Sequence, residues 1–520
     1  MRTSNSIKNS LSAFVCSALS MIISFFAQAL FIKMLGTEYL GLNGVFSNIL
    51  SMLGLFEIGI GSAIVFNLYK PIAENDRNKI GLLMNFYKKA YRVIATIIFF
   101  VGILLLPFIE YFVGKVNINI NINIVYLLYL TSTVTSYFMA YKRNLIIANQ
   151  KNYIINIVHA IYLVILNFFQ IMFLYITRNY YFYLIIKIVM QLLENMIISI
   201  ISNKMYGFLE NNYQDAKLDK ETKNDIFKRV KALIYHKIGS VLVLGTDNII
   251  ISKFLGLTSV GLYTNYNTII TALNTLFSQI ISTSTAGIGN LMITSNEKKK
   301  YDIFKKMRFL NSWISIFTSI CFFCVVQTFI QIWLGNEYKL DTIVVGMLTF
   351  NYFQKMQRQV YITFKDSAGI WVEDKIVPLL EAGINIVFSV IFVKMFGIAG
   401  VFLGTIVSGL ALWCYSYPKF IYKGIFKRSY KQYTFETLGY IILFLVLITI
   451  TYSCTTLISF ENIWIRFAIQ LVICILVPNV LLVIIFRKSD NFIYFCNLIK
   501  KIFLNISIIR KKDVIDRKKL

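Results

Sequence analysis

The sequence predicts an all-α membrane protein with about fourteen transmembrane helices, each long enough to cross a bilayer. The 520 residues are 57% hydrophobic, with a mean hydropathy of +0.66. Because lipid cannot hydrogen-bond to the backbone, apolar stretches of roughly 20 residues must cross as helices. Two further observations, the placement of the basic residues and an internal repeat, predict how these helices are arranged.

The predicted spans are joined by short outer connections and by longer, charged inner ones. Their bounds are 10–33, 40–67, 91–112, 123–142, 153–175, 180–202, 232–254, 260–289, 309–333, 343–364, 376–395, 399–421, 433–457 and 463–486. The longest connection comes after the sixth span, where it would link two halves of the chain.

Basic residues lie almost entirely on one predicted side of the membrane. When the loops are assigned alternately to the two sides, about 43 of the 52 Lys and Arg fall on the side of the N-terminus. This asymmetry predicts that the N and C termini are both cytoplasmic, and that the net charge of +27 reflects orientation and contact with anionic membrane lipids. Nucleic acid is not a predicted partner, because the charges are spread over separate short loops.

A motif near the start of the chain recurs 220 positions later. Residues 33–42 read KMLGTEYLGL, residues 253–262 read KFLGLTSVGL, and each copy joins one apolar span to the next. The offset covers six spans, and an even number keeps both copies in the same orientation. The chain is therefore predicted to contain two parallel six-helix repeats with a site between them.

These patterns divide the chain into five parts. They are a first lobe at 1–202, a cytoplasmic linker at 203–231, a second lobe at 232–422, two extra C-terminal helices at 423–486 and a basic cytoplasmic tail at 487–520. The tail is partly amphipathic and is expected to lie on the inner membrane surface.

The eighth span is the most polar one and predicts a cavity wall. Its polar residues share one helix face, namely Asn267, Thr271, Asn274, Ser278 and Ser282. The positions 220 residues earlier, in span 2, include Ser47 and Ser51. Small and hydroxyl residues also let membrane helices pack closely, so tight packing is the alternative interpretation.

Charge inside a span is costly and often marks function, and five charged residues of the predicted spans stand out. They are Glu57, Lys187, Glu194, Lys237 and Asp247. Two interpretations remain open: a site for a coupling ion or a polar group of the substrate, or ion pairs between helices.

Cations near the inner ends of spans 4 and 10 are candidate contacts for a diphosphate. Arg143 lies at the inner end of span 4, and Lys355 and Arg358 lie near the inner end of its repeat partner, span 10. A guanidinium fork and an ammonium suit phosphate oxygens, although such charges also serve simply to orient the chain. His159, in span 5, is predicted to bond to a neighbouring helix rather than to relay protons.

No catalytic or cofactor motif is recognisable. The sequence contains no Walker-type phosphate loop and no HExxH or DxD motif, and its outer loops are too short for a catalytic domain. Cys321 and Cys324 have CxxC spacing inside a span, where packing is a better interpretation than a metal or redox site. The chain is predicted to be a transporter without a catalytic site, a metal or a cofactor.

Several segments resemble the Wzx-type polysaccharide flippases of the multidrug/oligosaccharidyl-lipid/polysaccharide (MOP) exporter superfamily. In the first half they are FIKMLGTEYLGL at 31–42 and LFEIGIGSAI at 55–64. In the second half they are HKIGS at 236–240, GTDNIIISK at 245–253 and VGLYTN at 260–265. The motifs are diffuse, but the span number and the duplication extend the resemblance over the whole chain.

The resemblance implies a function in the bacterial cytoplasmic membrane. Such proteins move undecaprenyl-diphosphate-linked oligosaccharide from the inner to the outer leaflet for capsule, O-antigen or related glycans. It implies alternating access of two lobes around a cationic or polar cavity, and contacts with other glycan-assembly proteins. It also implies coupling to a gradient of H⁺ or Na⁺ or to the membrane potential.

Other functions compete with this one. A MATE-like multidrug exporter of the same superfamily would have an acidic, apolar pocket. A peptidoglycan-precursor flippase would carry a different headgroup. A scaffold for glycan assembly would tolerate neutralisation of its cavity residues, and a glycan polymerase is disfavoured by the short outer loops.

Overall fold

The computed structural model describes residues 2–57, 60–114, 118–210, 218, 220–282, 284–370, 373–457, 460–498 and 500. Within these ranges the chain is almost entirely helical and contains no strand, which confirms the all-α class. The predicted tail falls largely in 501–520, outside the described residues.

The helices succeed one another with short connections. In the first part of the chain they are α1 (Arg2–Leu35), α2 (Thr37–Leu53), α3 (Ile60–Ala73), α4 (Arg77–Leu105), α5 (Ile109–Val113), α6 (Ile122–Tyr137), α7 (Ala140–Ala148), α8 (Asn152–Thr177) and α9 (Tyr180–Met205). They continue with α10 (Lys220–Leu255), α11 (Leu257–Ser282), α12 (Thr285–Thr294), α13 (Glu297–Trp333), α14 (Thr342–Ser367), α15 (Val377–Ala411), α16 (Tyr430–Thr456) and α17 (Ile463–Phe486). A π-helix, Leu412–Ile425, extends α15, and 3₁₀ turns occupy Gly54–Glu57, Leu106–Phe108, Gly207–Glu210 and Asn336–Tyr338.

Several predicted spans are interrupted: α4 gives way to the 3₁₀ turn Leu106–Phe108 inside span 3, and α11 ends at Ser282, inside span 8. Span 2 is predicted as one helix, but α2 ends in the 3₁₀ turn Gly54–Glu57 before α3 begins at Ile60. The glycine-rich stretch 54–61 explains the interruption, because glycine destabilises helix interiors. Span 4 consists of α6 and α7, which are bent by 43° relative to each other.

Several helices begin earlier than predicted. Helix α4 begins at Arg77 rather than near 91, α10 begins at Lys220, inside the stretch predicted to be a linker, and α13 begins at Glu297 rather than near 309. These three extensions are rich in Lys, which favours helix but not lipid. The apolar pattern of the sequence predicted the membrane-spanning part of each helix but not its charged N-terminal end. By contrast, the predicted boundary between spans 11 and 12 is confirmed, because α15 turns at Gly397 (φ 57°).

Within the described residues, eight helices are long and apolar enough to cross a membrane, or nine if the bent pair α6–α7 is one span. One of the eight, Val377–Ile425, contains two of the predicted spans. The count of fourteen and the cytoplasmic termini remain predictions.

The chain forms two compact units. The first comprises Met1–Leu276, Trp333–Asn351 and Ile370–Ser416. In it, α1 packs along α8, α8 along α9, and α10 along both α2 and α15. Part of its core lies between α3, α4 and α7, around Leu68, Leu83, Tyr87 and Leu145.

The second unit comprises Phe277–Ile332, Tyr352–Gly369 and Tyr417–Leu520. Its core is aromatic and surrounds Arg308, which donates to Glu436 Oε2 at 2.7 Å and to the Tyr422 hydroxyl. Asn479 Oδ1 accepts from Trp313 Nε1 at 2.8 Å. Helices α16 and α17, predicted as an addition, are thus bonded to α13 within this unit.

Candidate functional site

A cavity of about 620 Å³ opens in the first unit between α1, α8 and α11. Its lining residues are Ala13, Cys16, Ser17, Ser20, Met21, Ser24, Phe25, Gln28, Asn156, His159, Leu163, Asn267, Thr268, Thr271, Ala272, Thr275 and Leu276. Nine of these 17 side chains carry a hydroxyl or an amide group, and the volume suits a ligand of drug-like size. None of these lining residues is acidic.

Helical periodicity produces this polar wall. On α11, Asn267, Thr271 and Thr275 recur every four residues, so they share a face. On α1, the lining polar residues Ser17, Ser20, Ser24 and Gln28 have the same kind of spacing. The α1 residues were not predicted, although their spacing is visible in the sequence, because the apolarity of span 1 outweighs its polar stripe.

At one end of the cavity, hydrogen bonds join α1 to α11. Gln28 Nε2 donates to Asn265 Oδ1 at 2.6 Å, and Thr268 Oγ1 donates to Gln28 Oε1 at 2.9 Å. Gln28 lies near the end of α1 that is predicted to face the outside. The amide thus joins the two helices at the predicted outer end of the cavity.

The two copies of the repeated motif cross each other close to this end. A Cβ atom at Gly41 would overlap the carbonyl oxygen of Leu257, and one at Gly261 would overlap that of Thr37. The two contacts are related by the same offset of 220 residues that relates the motifs. Only glycine allows α2 and α11 to approach so closely.

Two further pairs obey the same symmetry. Thr258 Oγ1 donates to Glu38 Oε1 at 3.2 Å, and these residues occupy equivalent positions in the two copies. The first glycines of the copies, Gly36 and Gly256, both have positive φ angles, 97° and 87°. The spacing of the motif thus reflects one glycine that turns the chain and a second that permits the crossing.

His159, on the cavity wall, belongs to a charge cluster around a buried carboxylate. Its Nδ1 lies 2.9 Å from Glu194 Oε1, and Arg143 Nη2 lies 3.1 Å from the same oxygen. The Glu194 side chain is 5% exposed, whereas that of His159 is 47% exposed. Three predicted spans therefore meet at one carboxylate, and His159 bonds to a neighbouring helix as predicted.

After the bend between α6 and α7, three consecutive side chains form hydrogen bonds with different partners. Lys142 Nζ donates to Ser199 Oγ at 2.6 Å and to Asn203 Oδ1 at 2.8 Å, while Arg143 bonds to Glu194. The next side chain along the helix is that of an asparagine, Asn144, which bonds to α4. Interrupted helices supply such polar ends at the sites of many transporters.

Glu57 lies at the other interruption, in the 3₁₀ turn of span 2. Its Oε1 accepts from the Tyr91 hydroxyl at 3.0 Å, and that hydroxyl accepts from Asn144 Nδ2 at 3.1 Å. The two broken spans are thus connected through one tyrosine of α4. Sequence reasoning found Glu57 but not Tyr91 or Asn144, because their alignment depends on both breaks.

Asp247 is buried in a second cluster, built from α10 and both halves of α15. Its Oδ1 accepts from Thr405 Oγ1 at 3.3 Å, and Thr405 Oγ1 accepts from Asn385 Nδ2 at 3.0 Å. Thr246 Oγ1 donates to Asn385 Oδ1 at 3.1 Å. Ser389 Oγ and the Val401 carbonyl, 3.0 Å apart, lie on the same helix pair.

The other predicted site residues are more scattered. Ser47, Ser51 and Asn274 are exposed but do not line the cavity between α1, α8 and α11, and Lys187 Nζ lies 5.0 Å from the centre of the Tyr129 ring. Lys355 and Arg358 lie on the part of α14 that belongs to the second unit. The side chain of Lys237 is outside the described residues, and no group of three or more potential metal ligands occurs among those described.

Comparisons with known proteins give structural but not sequence relatives. No protein-family model and no curated protein sequence matches the chain. The inward closed conformation of the lipid II flippase MurJ superposes with a TM-score of 0.65 at 16% identity, covering 93% of this chain and 99% of that one. An inward-facing MATE multidrug-resistance transporter of the MOP superfamily gives 0.59 at 13% identity, covering 75% and 92%. A MATE transporter from Vibrio cholerae gives 0.57 at 12% identity, covering 82% and 100%.

These similarities establish the fold. They extend over nearly the full length of each transporter, and they agree with the apolar helices of this chain. The protein is a multi-pass membrane protein with the fold of the MATE and MurJ transporters of the MOP superfamily.

Proposed function

We propose that the protein is a flippase that carries a polyprenyl-diphosphate-linked oligosaccharide from the inner to the outer leaflet of a bacterial cytoplasmic membrane. The observation that carries the proposal is the lining of the cavity, which is rich in hydroxyl and amide groups and includes no acidic side chain. Such groups replace the water around sugar hydroxyls. An exporter of organic cations would need an acidic or strongly aromatic pocket.

The physical problem that such a protein solves is desolvation. A charged, hydroxyl-rich headgroup cannot enter hydrocarbon without partners, because burying unpaired polar and charged groups costs several kcal/mol each. A polar cavity inside the membrane supplies those partners, while the lipid tail stays in the bilayer. Transport then needs access to the cavity from each side in turn.

The crossing of the two motif copies supports the outer half of this cycle. Gly41 and Gly261 bring α2 and α11 into backbone contact, and Gln28 joins α1 to α11 beside it. In the proposed cycle these contacts separate when the headgroup leaves toward the outer side. They would reform when the cavity returns to the inner side.

The cluster around Asp247 is the proposed site of the coupling ion, Na⁺ or H⁺. A buried carboxylate with hydroxyl, amide and carbonyl oxygens close by has the donor set that a hard cation prefers. The cluster joins α10 to α15, so a cation bound there would fix the angle between these helices. Asp247→Asn should abolish the dependence of transport on the gradient that drives it, while wild-type protein responds to that gradient.

The decisive experiment is leaflet-specific detection of the lipid-linked glycan in cells depleted of the protein. Accumulation on the inner side, reversed by wild type, supports the flippase. The double variant Asn267→Leu/Thr271→Val should fail to restore outward movement, because it removes two polar groups from the lining. Asn274→Leu is the matched control, since it makes the same change on α11 outside the lining.

Other results would favour other functions. An unchanged leaflet distribution with loss of drug efflux would favour the exporter, and restoration by every variant would favour a scaffold. A peptidoglycan-precursor flippase is the second candidate. The MurJ match covers 93% of this chain, which is more than residues 1–422 contain, so the match extends into the added C-terminal helices. Accumulation of lipid II, rather than of another glycan lipid, would identify it.

A further inference from the structure

We infer that His159, held by Glu194 and Arg143, is a proton-linked binding site for an anionic group in the cavity, namely a phosphate of the headgroup. The inference rests on the proposed function and specifies how the charged part of the substrate is held. It starts from the lining, in which His159 and the thiol of Cys16 are the ionisable side chains. Every other lining side chain is neutral.

The groups around His159 set the charge of the cluster. Glu194 faces it from α9 and Arg143 lies on α7, while Tyr162 stacks on it within α8 at a ring distance of 5.5 Å. From α1, Cys16 lines the same cavity. The carboxylate and the guanidinium offset each other, so protonation of His159 leaves one net positive charge at the wall.

The hydrogen bond to Glu194 determines which ring nitrogen of His159 changes from acceptor to donor on protonation. The Glu194 carboxylate can only accept, so Nδ1 of His159 must carry a hydrogen and donate to it. In the neutral ring Nε2 is then an acceptor, which repels a phosphate oxygen. In the protonated ring Nε2 becomes a donor as well, and the imidazolium attracts the anion.

Because the His159 side chain is exposed to the cavity, both a proton and the ligand can reach it. The His159 side chain is about half exposed on the cavity wall, while Glu194 behind it is almost fully buried. The proton can therefore come from the cavity, and the carboxylate is not itself available to the ligand. Binding of the anion and binding of the proton must strengthen each other by the same factor, because linkage is reciprocal.

The test measures binding by the purified full-length protein in detergent. The probe is farnesyl diphosphate, with farnesol and inorganic diphosphate as separate arms. Between about pH 5.5 and pH 8, where histidine titrates, the affinity of wild type for farnesyl diphosphate should fall roughly fivefold or more as the pH rises. Binding in weak buffer should also take up protons from solution.

Three variants make the test specific. His159→Gln should bind weakly throughout and show only the pH dependence of the ligand's own phosphates. His159→Arg keeps a positive charge, so it should bind well at both ends of the range with that same shallow dependence. Thr275→Val, in the same cavity, should lower affinity equally at all pH values and keep the wild-type profile.

The outcomes separate the inference from the proposed function. If His159→Gln keeps the wild-type pH profile and proton uptake, the inference is overturned and the flippase remains. Binding of inorganic diphosphate with the same profile would identify the phosphate as the recognised group, whereas binding of farnesol alone would exclude it. Failure of the proposed function is registered separately, by an unchanged leaflet distribution of the glycan lipid in depleted cells.

Discussion

The two copies of the repeated motif share their crossing and differ in the helix segments beyond it. In both, one glycine turns the chain and a second allows the close approach of α2 and α11. Past the crossing, the first copy breaks at Gly54–Glu57 and exposes a carboxylate to Tyr91. The second continues without a break to Ser282 and presents Asn267 and Thr271 to the cavity.

This difference shows where duplication constrains a membrane protein and where it leaves freedom. A crossing between two equivalent helices works only if both partners keep their glycine, because each glycine accommodates the other's backbone. The distal halves face different surroundings and need not match. The first copy has therefore acquired an ionisable group at a helix break, and the second a neutral polar face.

The largest effect is expected at the crossing. Gly41→Ala and Gly261→Ala each place a methyl group on the backbone of the other copy, so each should destabilise the protein by about 1–3 kcal/mol and block transport. Thermal unfolding in detergent and the leaflet assay measure the two effects. Gly383→Ala, whose Cβ would meet open space, is the control and should be tolerated. Tolerance of either crossing variant would disprove the symmetric contact.

The next effect concerns Glu57, the carboxylate at the helix break of the first copy. Glu57→Gln keeps a group that can accept from Tyr91 and removes the charge, so transport should fall about tenfold, or ~1.4 kcal/mol in the barrier, with little loss of stability. Glu38→Gln changes the other carboxylate of the same copy and should leave the rate nearly unchanged. Equal rates for both variants would mean that Glu57 only stabilises the broken helix.

A smaller effect is expected at the tyrosine that joins the two broken spans. Tyr91→Phe removes a buried hydroxyl that donates to Glu57 and accepts from Asn144, and should cost about 1 kcal/mol of stability. Unfolding midpoints of Tyr91→Phe, Asn144→Ala and the double variant measure the coupling. Additive losses would show that the two contacts are independent.

The smallest effect is expected at the pair on the exposed edge of the crossing. Thr258→Val removes the hydrogen bond to Glu38, which is exposed to solvent, so stability should change by about 0.5 kcal/mol or less. A double-mutant cycle with Glu38→Gln isolates this contact. If the coupling energy between Thr258 and Glu38 were as large as the stability lost in Gly41→Ala or Gly261→Ala, these side chains rather than the backbone would be the main contact of the crossing.

Much of the fold was predictable, because membrane helices are encoded by length and apolarity. The boundary at Gly397 and the polar face of α11 arise from local composition and helical period. The break in span 2 and the charged starts of α10 and α13 were missed, because apolarity reports contact with lipid rather than the extent of a helix. Glycine content could have indicated the break.

The candidate site was only partly predictable. Individual charges such as Glu194 and Arg143 stand out wherever they occur in apolar sequence. The ion pair that they form cannot be recognised from the sequence. Arg143 and Glu194 belong to different helices, and Arg143 lies on α7, which is bent relative to α6. His159 became a candidate for ligand binding only once its exposure to the cavity was known.

Hydropathy and repetition can be read directly from the residues, so they were enough to identify a helical membrane protein with a duplicated motif. The structural role of the motif and the grouping of the polar side chains became visible only in the folded protein. The glycines of the two copies are required because the copies cross, and Glu194 contacts Arg143 and His159 because three helices meet there.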